Sequence, residues 1–190
     1  MVESGLYDSF GRSIRDLRIS ITDRCNFRCL YCLPETEEAA DFFRSSPDKG
    51  RSAVIERSWK PRSHFLAYEE IARVVKVLAS MGVQKIRLTG GEPLLRREVS
   101  KLVHQLNGVP GIQDIALTTN GFRFSTQAEA LLKAGLRRVT FSLDSLVKDN
   151  FRRLTGRDGL EELLKAIACA KELNFCQVKI NAVIIRGLND

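Results

Sequence analysis

Residues 68–89 read Y-E-E-I-A-R-V-V-K-V-L-A-S-M-G-V-Q-K-I-R-L-T, and their pattern decides the fold. Over 68–81, Ile71, Val74, Val75 and Leu78 fall at the spacing of one helical face, and Gly82 stops the helix. Residues 85–89 then alternate polar and apolar with the period of a strand. The same unit recurs downstream. A helical stripe of Leu95, Val99, Leu102, Val103 and Leu106 over 94–106 precedes a strand at 113–118. Thr126 and Glu129 predict a capping box for a helix ending at Gly135, before a strand at 137–143. Asp158 and Glu161 are candidate caps of a helix carrying Leu160, Leu163, Leu164, Ile167 and Leu173, before a last strand at 177–185. Residues 17–21 (L-R-I-S-I) supply the first strand. Strand–helix repetition predicts an α/β fold: a parallel sheet with right-handed crossovers, and a site at the C-terminal ends of its strands.

Composition agrees with one globular domain. The chain has 190 residues, 44% hydrophobic and 28% charged, which excludes a collagen-like or low-complexity chain. No run reaches the ~18 apolar residues of a membrane span, and residues 1–20 lack the apolar segment of a secretory signal. The net charge of +7 is too mild to indicate nucleic acid and suits any polyanion. Residues 34–64 break the rhythm with a mixed run of acids and bases. They are expected to form a long mobile loop, either a solvated connection or an anion-binding lid. The chain ends just after the fifth strand, whose sheet edge is then unprotected, so a further C-terminal portion is expected.

Three of the five cysteines, Cys25, Cys29 and Cys32, fall within eight residues directly after the first strand. Three thiolates on one tight loop can hold three irons of a four-iron cubane and leave the fourth open to a small chelator. Structural zinc, the rival, wants four ligands. Cys169 and Cys176 are expected as core residues. Lys85, Arg87 and Thr89 share one face of their strand, with Arg18 and Lys179 arranged alike on the first and fifth strands. Cations converging from three strands make a polyphosphate site.

The Cys-x3-Cys-x2-Cys motif with Tyr31 before its last cysteine, together with Gly90-Gly91-Glu92-Pro93 after the second strand, resembles the radical S-adenosylmethionine (SAM) superfamily. The flanks resemble its GTP 3′,8-cyclase family: Phe10-Gly11-Arg12, Asp16 to Cys29, Lys85 to Pro93, Leu117 to Gly121, Ala134 to Arg138 and Val178 to Asn181 match in order. The resemblance implies a partial (β/α)6 TIM-like barrel, here about five strands, forming a core domain over 1–190. It implies a [4Fe–4S] cluster on Cys25, Cys29 and Cys32, and SAM against Tyr31, Gly91 and Ser142. GTP would contact Arg18, Lys85, Arg87, Thr118 and Lys179, with Asn120 and Asp144 in support.

The implied chemistry is cleavage of SAM to a 5′-deoxyadenosyl radical. That radical takes the C3′ hydrogen of GTP on the way to 3′,8-cyclo-7,8-dihydro-GTP, the first step of molybdenum-cofactor synthesis. Relatives bear a second [4Fe–4S] cluster on a C-terminal cysteine triad, and the spacing of Cys169 and Cys176 does not supply it. The resemblance also implies an electron donor, a downstream pterin synthase and a cytoplasmic setting, or an organelle matrix in a eukaryote, and leaves room for a homodimer. The alternatives are a radical SAM enzyme with another substrate and a non-catalytic, truncated iron–sulfur protein.

Overall fold

The computed structural model describes residues 5–45 and 53–190. Five parallel strands, β1 (Asp16–Ser20), β2 (Lys85–Thr89), β3 (Asp114–Thr119), β4 (Arg138–Ser142) and β5 (Gln177–Asn181), pair in sequence order. An order without reversal is that of a singly wound barrel wall, since a doubly wound sheet turns back at a switch point. Every crossover then runs the same way and lays its helix on the same face. Helices α1 (Glu37–Ser45), α2 (Tyr68–Ser80), α3 (Val99–Asn107), α4 (Ala128–Lys133), α5 (Lys148–Thr155) and α6 (Leu160–Glu172) occupy the connections.

The core lies between sheet and helices. Ile86, Leu88, Ile115, Leu117, Val139 and Phe141 point outward from the strands and are buried against Val75, Leu102, Leu106, Leu131 and Leu163. Strand alternation sends the intervening residues to the inner face. Its rows are set by register: Arg18 lies beside Arg87, then Ala116, then Arg138, while Thr118, Thr140 and Lys179 form the next row toward the C-terminal mouth.

Several sequence expectations need correction. The stretch 34–64 is not simply loop. Residues 37–45 form α1, with Ala39, Ala40 and Phe43 buried and the Thr36 hydroxyl accepting from the Ala39 amide at 3.2 Å. Residues 46–52 of that stretch lie outside the described residues. The helix expected from 94 starts only at Val99, because Pro93–Leu95 is a 3-10 turn and Glu98 takes a left-handed φ of 56°. Thr126 and Asp158 cap nothing. The Thr126 hydroxyl donates to the Arg123 carbonyl, Asp158 pairs with Lys148 at 3.6 Å, and Gln127 and Gly159 hold the two N-cap positions. Helix α5 has no counterpart in the sequence pattern, because its only buried apolar residues are Phe151 and Leu154, too few to stand out as a stripe. Val74 and Leu164 are exposed rather than packed. Cys169 is half-buried against the core, as expected, but Cys176 is exposed at the start of the edge strand β5.

Candidate functional site

A cavity of about 510 Å³ opens at the C-terminal ends of the strands, where parallel α/β sheets place their ligands. Cys25, Cys29 and Cys32 all line it. They lie on the loop that leaves β1, and this loop is held by the turn that leaves β2. The Gly91 amide donates to the Thr22 carbonyl at 2.7 Å, and the Glu92 amide to the Arg24 carbonyl at 2.7 Å. So close an approach requires glycine: a Cβ on Gly91 would lie 2.4 Å from the Arg24 carbonyl oxygen.

Glu92 is the hub beneath this contact. It is buried, and its carboxylate accepts from the Leu94 amide at 3.0 Å, the Thr119 hydroxyl at 2.8 Å and the Asn120 amide at 2.7 Å. Burial pushes its carboxyl above the usual range, against these three donors. Asn120 in turn donates to the Asn26 side chain, inside the cysteine loop, at 2.9 Å. Thus β2, β3 and the thiol loop are joined by one polar chain. Glu92→Gln aims an amide nitrogen at the Asn120 or the Leu94 backbone amide, neither of which can accept, and is expected to cost about 2–3 kcal/mol in thermal or urea unfolding.

The thiols face burial as well as the cavity. Desolvation raises the Cys25 thiol and pushes Cys29 up to about 12, so stable thiolates here need a cation close by. Among the described residues no three Cys, His, Asp or Glu side chains converge on one ion-sized point. Structural zinc wants four ligands, and the loop offers three thiols. A cubane spreads its thiolates over separate irons, and the three-thiol set on one loop fits it.

Tyr31 donates to Asp144 Oδ2 at 2.6 Å, and the Val183 amide donates to Oδ1 at 2.9 Å, so a buried carboxylate beyond β4 fixes the ring beside the thiols. Gly91, Ser142, Arg18 and Thr118 line the same cavity. Lys85, Arg87 and Lys179 do not. They share the inner face, but Lys85 sits level with Asp16 and Asp114 at the far end of the strands, and Lys179 is exposed on β5. Sequence inspection missed Asp23, Arg57, Ser58 and Trp59, which also line the cavity.

The family model of the radical SAM superfamily matches residues 19–190. The chain belongs to the radical SAM superfamily. Its fold is similar to that of Streptococcus suis SuiB bound to S-adenosylmethionine, with a TM-score of 0.64 at 20% identity, covering 90% of this chain and 34% of that one. It is also similar to HydG, a maturase of the [FeFe]-hydrogenase, with a TM-score of 0.64 at 14% identity, covering 88% of this chain and 34% of that one. In sequence it is 46% identical over 185 residues to a GTP 3′,8-cyclase of Syntrophomonas wolfei, covering 97% of this chain and 51% of that protein. It is 41% identical over 190 residues to a GTP 3′,8-cyclase of Marinobacter nauticus, covering 100% of this chain and 51% of that protein. The chain spans about half the length of the curated relatives it matches.

A radical SAM protein uses a [4Fe–4S] cluster and S-adenosylmethionine, and the donors of this cavity suit both: thiols for iron, and an exposed glycine backbone and hydroxyls beside them for a polar cofactor. Among the described residues no helix is long and apolar enough to cross a membrane.

Proposed function

We propose that this radical SAM chain binds GTP in the thiol-lined cavity and serves its conversion to 3′,8-cyclo-7,8-dihydro-GTP, the first step of molybdenum-cofactor biosynthesis. The observation that carries this proposal is the match to GTP 3′,8-cyclases along the whole chain, 46% identical over 185 residues in one case. The position of Arg18 supports it. This cation stands in the wall of the cavity that holds the three thiols, with Arg87 beside it in register.

The cofactors bound there would supply the radical that takes the C3′ hydrogen of the ribose. The chain's own residues do the rest. Cys25, Cys29 and Cys32 hold the cluster; Tyr31, Gly91 and Ser142 hold S-adenosylmethionine. Arg18 anchors the triphosphate and Thr118 contributes a hydroxyl beside it, while Arg87, Lys85 and Lys179, on the same inner face but outside the cavity wall, add to the positive field that draws the phosphates in. The Tyr31–Asp144 bond keeps an aromatic wall next to the thiols, and that wall excludes water from the reacting atoms. A one-electron donor, a pterin synthase downstream and a cytoplasmic setting go with this assignment.

Equilibrium dialysis of GTP against the reconstituted chain tests it. Arg18→Ala is expected to weaken GTP binding by about tenfold or more, the worth of one charge-assisted phosphate contact. Undiminished affinity in that variant would remove Arg18, and with it the proposed phosphate site, from the cavity.

A further inference from the structure

The segment from Ile55 to Lys60 is fastened across the thiol loop on both flanks. The Ile55 amide donates to the Pro34 carbonyl at 2.8 Å, two residues after Cys32. The Lys60 amide donates to Asp23 Oδ2 at 2.7 Å, two residues before Cys25. Between these fastenings Arg57 turns into the cavity. Its side chain is only 12% exposed and is ion-paired with Glu35, itself 10% exposed. The guanidinium also lies over the Trp59 ring, 4.8 Å from its centroid. Arg28 pairs with the same Glu35 at 3.0 Å, so two cations surround one carboxylate at this rim.

We propose that Arg57 sets the reduction potential of the cluster held by Cys25, Cys29 and Cys32. A cluster on three thiolates gains a further negative charge on reduction. A fixed cation nearby therefore stabilises the reduced form more than the oxidised one and raises the potential. Burial decides which cation matters. Arg57 is shielded from solvent, whereas the Arg28 side chain is 42% exposed and its field is screened. Arg57 and the three cluster thiols line one cavity; burial and the neighbouring Arg28 depress the guanidinium from its ordinary value, and the thiols oppose that shift. Glu35 and Trp59 hold the guanidinium in place and spare it the freedom of an exposed arginine. The assignment rests on the cofactor reading of the cavity, and adds to it a residue that touches the cluster's field but none of its irons.

The test is a redox titration of the anaerobically reconstituted chain, followed by electron paramagnetic resonance of the reduced cluster. For Arg57→Gln the ratio of reduced to oxidised cluster at fixed poise is expected to fall about tenfold, a ~59 mV shift for one electron. Arg57→Lys keeps the charge and should stay near the parent, and Arg28→Gln should shift less than Arg57→Gln. A loaded Arg57→Gln cluster at the parent's potential overturns the assignment. So does an equal fall in the lysine variant, which would make the role one of packing. If Arg57→Gln takes up no iron, normal loading and potential in Arg57→Lys support the charge role, and failure of both overturns it. A parent chain that binds no four-iron cluster overturns the cofactor reading itself, a result separable from every variant outcome.

Discussion

Cys29→Ala is expected to abolish four-iron uptake. Anaerobic reconstitution of the parent should yield about four irons per chain, and the variant should lose more than ~100-fold in affinity, beyond the loss typical of an outer contact to a metal ligand. Cys29 is the middle thiol of the loop and faces the same cavity as Cys25 and Cys32. Its removal leaves two thiols from one loop, too few to hold a cubane. The turn itself survives, because the Cys32 amide donates to the Cys29 carbonyl at 2.9 Å through backbone alone. Loss of iron can therefore be separated from loss of fold by circular dichroism of the variant. Cys176→Ala is the matching control. That thiol is exposed at the edge strand, and iron content should not change. Retention of the full iron complement by Cys29→Ala would remove the thiol loop as the cluster's holder.

The second large effect is expected at Gly91. An alanine there places its Cβ 2.4 Å from the Arg24 carbonyl oxygen and 2.7 Å from that of Asp23. Both obstacles are backbone and cannot rotate aside, so the β2 turn and the thiol loop must separate. The two amide bonds at 2.7 Å that clasp them would be lost or stretched. Overpacking of this kind costs about 1–3 kcal/mol, and each broken buried hydrogen bond adds about 1 kcal/mol. The unfolding midpoint should fall accordingly, and iron uptake should fall with it because the thiol loop loses its support. Gly108→Ala is the contrasting substitution: its φ is −82° and the nearest atom to an added Cβ is 3.5 Å away, so little change is expected. Equal midpoints for Gly91→Ala and the parent would mean that the two loops are not held by this close approach.

Much of this arrangement follows from local pattern. The strand at 85–89 is observed with the predicted bounds, since two buried outward residues, Ile86 and Leu88, alternate with three inward ones. Helix α1 was readable too: Thr36 before two acids, Arg44 in the last turn, and Ala39, Ala40 and Phe43 at helical spacing. The dense mixed charge around it hid the stripe. Val74 shows the opposite failure. It fits the helical period of α2 but sits at the margin of the stripe and remains exposed, because the angular position of a residue does not say where the neighbouring element ends. The polar face was legible as a face and not as a depth. Period two places Lys85, Arg87 and Thr89 together, yet the cavity reaches Thr89 and stops short of both cations.

The sequence by itself determined the five strands and four of the helices between them, the parallel sheet that such an alternation imposes, and the three-thiol loop after β1. Each depends on residues near one another in the chain, where covalent geometry sets the spacing. Only the tertiary structure decided which distant groups meet. Tyr31 finds Asp144 across 113 positions, Glu92 gathers donors from the C-terminal end of β3 and the residue after it, and Arg57 reaches Glu35 beside the thiols from a segment without periodicity. Those meetings are fixed by strand register and by the approach of two loops through Gly91, distances that no local periodicity contains.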